Sequence, residues 1–411
     1  MEKIQRPKGT QDIFGKDASR WQAVESCFRK IMRQAHYQEI RTPAFEYTEL
    51  FKRGVGETTD IVNKEMYTFE KGERSLTLRP EGTAGVVRSY VEQGMSRWPK
   101  PVKLYYMGPM FRYERPQAGR QRQFHQMGLE LFGLDTPEAD AEAISLAMDF
   151  FGSLELPNLA LEVNNIGTAQ CREVFKQGFQ TLVTPYLAKL CQDCQNRFHS
   201  NPLRMLDCKI PADKEIYDLP EIKSFLEKDF TSDECQAHFA KLSDILSALE
   251  IPFKRNYRLV RGLDYYTKTV FEITSTHLGA QNAVCGGGRY NNLVEQLGGP
   301  ATPAVGWALG MERLVSLLGD LENAGLDYYI VSDQPEYAFK VAKLLRAKNL
   351  AVEVNLSGKN FGKQFETAAK SGAPKILVLG EAEAKNQQVT VKIMADASQN
   401  SLSLRELLGS L

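Results

Sequence analysis

A chain of 411 residues is too long for one ordinary hydrophobic core and predicts two or three domains. Its 51 Lys plus Arg balance 51 Asp plus Glu, which excludes a global basic field, so any contact with nucleic acid has to come from local patches. No apolar run reaches bilayer length, the opening MEKIQRPKGTQDIF has no apolar leader core, and seven scattered cysteines fit reduced thiols, all of which predicts a cytoplasmic chain with no membrane partner.

Between Ala18 and Tyr37, Trp21, Val24, Phe28, Ile31 and Ala35 recur at helical spacing and predict an amphipathic helix. A short strand over Gln38 to Thr42 is stopped by Pro43. Residues 76–92, LTLRPEGTAGVVRSYVE, read as a strand, a turn at Pro80 and Gly82, and a helix that starts near Thr83 as its cap. Glu81 and Thr83 sit at that corner. Two readings stay open there: an acid and a hydroxyl that hold an ammonium group, or an ordinary helix start with an acid in its first turn.

The stretch from Leu104 to Phe132 predicts a long antiparallel hairpin, with strands near Tyr105 to Tyr113 and Phe124 to Phe132 joined across Pro116 and Gly119. Arg112, Arg115, Arg120 and Arg122 crowd its connection against one nearby acid, Glu114, and guanidinium forks grip phosphate oxygens in pairs. On the second strand Gln126, Gly128 and Glu130 share one face and Met127, Leu129 and Leu131 the other, so a polar face backed by bulky hydrophobes predicts a lined cavity. FRYERPQAGRQRQFHQ resembles the second signature motif of class II aminoacyl-tRNA synthetases, in the form found in bacterial histidyl-tRNA synthetases. The earlier block TPAFEYTELF is similar to the first motif, which in that class builds a dimer interface.

From about 167 to 250 the pattern turns helical, as in Ala169 to Thr184 and Ser232 to Leu249, and resembles the helical insertion of the family, which lies over the acceptor end of the tRNA. This segment holds Cys191, Cys194 and Cys208, with His199 nearby. A structural zinc site wants four compact ligands and no second CxxC follows, so the expectation is inert thiols and no structural metal. RLVRGLDYYTKTVFEI, Arg258 to Ile273, reads as strand at both ends around the polar interruption Arg261, Gly262, Asp264, Tyr265 and Tyr266, and its RGLDYY is close to a motif peculiar to this family. NAVCGGGRY and AVGWALGMERLVSLL give two strands and a helix bearing Arg313, similar to the third motif, except that Asn291 and Asn292 follow Tyr290 where an acid and a glycine are expected. Beyond Gly325, strands and helices alternate as DYYIVS, a helix near Glu336 to Lys348, AVEVNL, a helix near Gly358 to Lys370, KILVLG, QVTVKI and a last helix near Leu404. That predicts a small α/β domain with a largely parallel sheet, similar to an anticodon-binding domain.

The resemblance runs through the whole chain and implies an α+β catalytic domain over 1–325, an antiparallel sheet with flanking helices interrupted by the 167–250 insertion, followed by an α/β anticodon-binding domain over 326–411. It implies a homodimer that joins L-histidine to ATP, released as pyrophosphate and histidyl-adenylate, then transfers the histidyl group to tRNA(His), with Mg2+ carried by the nucleotide. By the same resemblance Arg112, Arg261 and Arg313 are catalytic; Glu81, Gly82, Thr83, Gln126, Glu130, Tyr265 and Tyr266 hold histidine; Arg112, Glu114, Arg120, Phe124 and Arg313 hold ATP; and Arg115, Gln117 and Arg122 meet the tRNA. The alternative is a noncatalytic paralogue that serves as regulatory subunit of ATP phosphoribosyltransferase.

Overall fold

The structure, a computed structural model, describes residues 3–411 except 57–58, 117–118, 157, 229, 262, 264, 279–281 and 320–324. It divides into two compact units, Met1–Gly319 and Asp320–Leu411. In the first, eight strands form one sheet: β1 (Gln38–Glu39), β2 (Val102–Phe111), β3 (Gln123–Phe132), β4 (Leu159–Asn165), β5 (Phe253–Arg255), β6 (Thr267–Ser275), β7 (Ala283–Arg289) and β8 (Ala304–Gly310). Their spatial order is β1-β2-β3-β8-β7-β6-β4-β5, antiparallel except for the two edge pairs, β1 with β2 and β4 with β5.

The predicted alternation on β3 decides which face is which. Met127, Leu129 and Leu131 turn into the main core, where Val24, Phe28 and Ile31 of α1 (Gly15–Gln34) and Ile144, Ala147 and Phe151 of α2 (Pro137–Ser153) cover them. Ala35 packs against the same core from the C-cap position of α1. The other face carries glycine. Register places Glu130 opposite Gly306, Gly306 opposite Gly288, Gly128 opposite Ala308, and Ala308 opposite Gly286, so two adjacent rows across the sheet lack bulky side chains.

Those glycines give room to large polar groups lying flat on the sheet. A Cβ on Gly286 would sit 2.1 Å from the Arg261 guanidinium, and one on Gly306 would sit 1.9 Å from Glu130 Oε2 and 2.4 Å from the Leu129 carbonyl oxygen. Because the second obstacle is backbone, Gly306→Ala cannot be absorbed by one rotamer change; we expect it to cost about 3 kcal/mol, measured as a shift of the urea unfolding midpoint.

The corner after the strand Arg74–Leu78 differs in detail from its sequence reading. The helix does begin at Thr83, spanning Thr83–Glu92, yet the Thr83 side chain does not cap it. Glu81 does: its carboxylate accepts from the backbone N–H groups of Thr83 and Ala84 at 2.8 and 2.7 Å. Likewise Arg258–Val260 is not strand. Arg258 and Leu259 belong to a turn in which Leu259 N–H donates to the Asn256 carbonyl, and the strand begins only at Thr267.

Helices Ala169–Val183, Gln192–Ser200, Pro211–Tyr217 and Pro220–Leu226 share a separate small core that includes Phe179, Tyr217 and Leu226, whereas Asp233–Ala248 packs Leu242 and Leu246 into the main core. The second unit has a five-stranded sheet that is mixed rather than largely parallel: Tyr328–Ser332 pairs in parallel with Val352–Val354 and Lys375–Leu379, and then Gln388–Ile393 and Gln399–Ser403 add on antiparallel. The reversal follows from a short helix, Glu381–Asn386, and Gln387 in the left-handed region at φ 53°, which return the chain beside the strand it has just left.

Candidate active site

A cavity of about 160 Å3 lies on the glycine face of the large sheet. Glu81 and Thr83 from the helix start, Gln126 and Glu130 from β3, Arg112 from the end of the hairpin, and Arg261, Tyr265 and Tyr266 from the segment before β6 all line it. Glu130 and Tyr266 therefore face one space although they are far apart in sequence. Gly82 supports the wall from behind, where a Cβ would strike the Tyr106 ring at 2.1 Å.

Glu130 is only 1% exposed. One carboxyl oxygen accepts the Thr83 hydroxyl at 2.8 Å and the other accepts the Tyr290 hydroxyl. Burial pushes its pKa up to about 8, with the nearby Glu81 adding to the rise and the two hydroxyl donors opposing it. Glu81 is raised as well, again by burial and against its two backbone donors. Two buried carboxyls that resist ionisation attract a cationic guest, whose charge would restore theirs.

At the other end stands Arg261. Burial acts to lower its pKa, but Glu272, which accepts from its Nη1 at 3.0 Å, holds it above the usual range. Its Nε and Gln126 Oε1 are buried with no hydrogen-bond partner among the described residues. Buried polar atoms are seldom left unpaired, so such orphans on a cavity wall mark places where a ligand bonds.

The remaining cations form an outer basin next to Arg112. Arg112 Nε donates to the Pro80 carbonyl at 2.9 Å, its guanidinium lies 5.2 Å from the Phe124 ring centre, and Nη1 is 3.8 Å from Glu114. Glu114 also takes Arg120 at 2.9 Å. Arg122 stacks on Tyr113 at 4.2 Å, and Arg115 is exposed. Arg313 donates to the Gly119 and Ala283 carbonyls at 3.3 and 2.8 Å, and burial followed by the Arg120 charge lowers its pKa. Gln117, Gly262 and Asp264 lie outside the described residues.

With this geometry in view, comparison with known proteins is decisive. Residues 9–314 match the family model described as histidyl-tRNA synthetase, and residues 324–411 match that described as anticodon binding domain. The chain belongs to the histidyl-tRNA synthetase family. A histidine--tRNA ligase of Cyanothece sp. is 50% identical over 99% of this chain and 96% of its own length, and one of Desulfitobacterium hafniense is 48% identical over 98% and 96%. The apo histidyl-tRNA synthetase of S. aureus superposes with a TM-score of 0.80 at 36% identity over 99% of each chain. An ATP phosphoribosyltransferase regulatory subunit/histidyl-tRNA synthetase from Bacillus halodurans shares the fold, with a TM-score of 0.68 at 21% identity over 92% of this chain and 98% of that one.

Several residues of this histidyl-tRNA synthetase family member escaped the sequence reading. Tyr290 stands two residues after the glycine run, and its position one step past β7 is the signal that could have found it. Glu272 sits on β6 opposite Gly286, which strand alternation places on the cavity face. Glu65, raised by burial and then by Glu114, belongs to the outer basin and had no local signature.

The raised carboxyl has a measurable consequence. Glu130 keeps its proton in the folded chain up to about 8 but loses it near 4.5 when unfolded, so between those values the folded state binds the extra proton. Stability associated with this group is full below the lower value and falls as pH rises toward the upper one. The urea midpoint of the wild-type chain should therefore fall relative to Glu130→Gln between pH 5 and pH 8, roughly the window set by the two values.

Proposed function

We propose that this chain is a histidine--tRNA ligase that makes histidyl-adenylate in the cavity described above and passes the histidyl group to tRNA(His). The observation that carries the reading is the convergence of Glu81, Thr83, Gln126 and Glu130 with Arg112 and Arg261 around one space. In this reading Glu81, Thr83 and Gln126 hold the α-amino end of histidine, and Glu130 accepts from one imidazole nitrogen while Tyr266 addresses the other. Tyr265, tilted 51° against Tyr266 with ring centres 4.7 Å apart, fixes that phenol in place.

The histidine carboxylate then attacks the α-phosphate of ATP and pyrophosphate leaves. Charge grows on phosphoryl oxygens, so positioned cations do most of the work. Arg112 and Arg261 flank the α-phosphate, and Arg120 and Arg313 take the outer phosphates with the magnesium that the nucleotide brings. Glu114 and Phe124, now held by Arg120 and Arg112, exchange those partners for the adenine amino group and ring.

Arg115, Gln117 and Arg122 read the acceptor end of the tRNA, the segment 167–250 covers that end, and the second unit binds the anticodon. Phe45 and Tyr47, 52% and 54% exposed on the short strand Phe45–Tyr47, support a homodimer through this block. No helix of the described residues is long and apolar enough to cross a membrane, which accords with work in the cytoplasm. The alternative of a noncatalytic regulatory paralogue has no residue in its favour here, since the full set of cations and acids is present.

Aminoacylation of tRNA(His) with histidine and ATP tests the reading directly; histidine bound without charging would reject it. Gln117→Ala should lower charging at least tenfold while pyrophosphate exchange stays within about twofold, because a residue on the tRNA gives up only a contact made in the second step. Equal loss in both assays would remove it from the tRNA surface.

A further inference from the structure

The separate core of the helical segment places Cys191, Cys194, Cys208 and Asp213 so that their ligand atoms all lie within 4.8 Å of one another. The structure assigns a closed structural zinc site to these four residues. The expectation of inert thiols rested on the lack of a fourth ligand, and Asp213 provides it from a helix the cysteine spacing does not mark. His199, the nearest histidine in sequence, is exposed and packs edge-on against Phe198.

The distances suit one tetrahedral ion. Cys191 Sγ and Cys208 Sγ are 3.8 Å apart. Two thiolates at ordinary zinc–sulfur distance in a tetrahedron stand about 3.8 Å from each other. Asp213 Oδ2 is 3.2 Å from Cys208 Sγ, close to the mixed sulfur–oxygen edge of about 3.5 Å. Ligand atoms this near one another leave space for a single ion and not for an iron–sulfur cluster.

Backbone groups already point at the ligands. Cys194 N–H donates to Cys191 Sγ and Ile210 N–H to Cys208 Sγ, each at 3.5 Å, and Cys191 N–H donates to Asp213 Oδ1 at 3.0 Å. Such donors stabilise thiolate and carboxylate and orient them on a metal. The carboxylate is the second, independent sign. Asp213 is 1% exposed and forms no ion pair among the described residues, and a buried carboxylate without a counter-charge is costly. A divalent cation supplies that charge.

The two ligand-bearing turns frame Gln192–Ser200 and the turn Pro202–Asp207, which carry Arg197 and Arg204 to Asp60 at 3.3 and 3.6 Å. Asp60 precedes Ile61 on the cavity wall. The ion thus holds the helical segment against the rim of the active site.

The test uses the full chain purified under reducing conditions without chelators. Elemental analysis should find about one zinc per chain, and reconstitution with cobalt(II) should give tetrahedral ligand-field bands with thiolate charge transfer. Asp213→Cys should keep the ion with a stronger charge-transfer band, while Cys208→Ser should weaken zinc binding at least tenfold. Zinc below about 0.1 per chain after exposure to equimolar zinc, cobalt bound without a tetrahedral spectrum, or a Cys191–Cys208 disulfide in freshly lysed cells would each overturn the assignment. Because the cobalt spectrum is read on the wild-type chain, a variant that fails to fold leaves the test intact.

Discussion

Arg261→Ala should reduce kcat/KM for histidine-dependent pyrophosphate exchange by about 10²- to 10³-fold, the usual loss when one preorganised donor to a developing oxyanion is removed. Its side chain is unusually well fixed: the guanidinium lies over Gly286, pairs with Glu272 at 3.0 Å, and keeps a buried Nε with no partner among the described residues. Since that position is set before substrate arrives, no reorganisation is needed during the reaction. Arg261→Lys should recover only part of the loss, because an ammonium keeps the charge but not the fork. Calorimetric binding of histidine alone should change little in Arg261→Ala. A fall of less than about threefold in exchange would take Arg261 off the phosphate.

Glu130→Ala should raise KM for histidine by at least 100-fold while leaving KM for ATP within about threefold. On the proposed reading the variant removes the acceptor for the imidazole, and it also strands the hydroxyls of Thr83 and Tyr290, two buried donors that Glu130 now satisfies. Each stranded donor costs the fold about 1–3 kcal/mol, while the missing ligand bond is what raises KM. Nor is this a residue kept for stability. Burial pushes its carboxyl up to about 8, so at neutral pH folding has to draw a proton onto Glu130, which costs the folded state. Parallel losses toward histidine and ATP would instead point to collapse of the cavity.

Much of this arrangement was legible in the residues because period and chemistry agreed. On β3, Gln126 and Glu130 had to face away from Met127, Leu129 and Leu131, and the hydrophobic set could be buried on only one side. The arginines of the hairpin were conspicuous by density. What stayed hidden depended on register between distant strands: that Gly306 yields its space to Glu130 and Gly286 to Arg261 follows from pairing, not from either glycine run.

Asp213 was hidden for a related reason. One acid in a charged helical segment looks solvated until the fold turns it toward three thiols. In the second unit, Gln399–Ser403 is a polar, exposed edge strand with no alternating apolar pattern, so the last antiparallel strand gave no signal although QVTVKI before it did. Thr83 was misread as a cap because its type suits one; Glu81 took that role, which freed the hydroxyl for Glu130.

The central claim is that an acid-ended, arginine-ended cavity selects histidine and joins it to ATP. Pyrophosphate exchange measured with each of the proteinogenic amino acids tests it most directly. The account predicts exchange with histidine and a kcat/KM lower by about 10⁴-fold or more for any side chain that lacks the two ring nitrogens, since Glu130 and Tyr266 would then be left unpaired. Comparable exchange with a second amino acid, or tight histidine binding with no exchange at all, would contradict it.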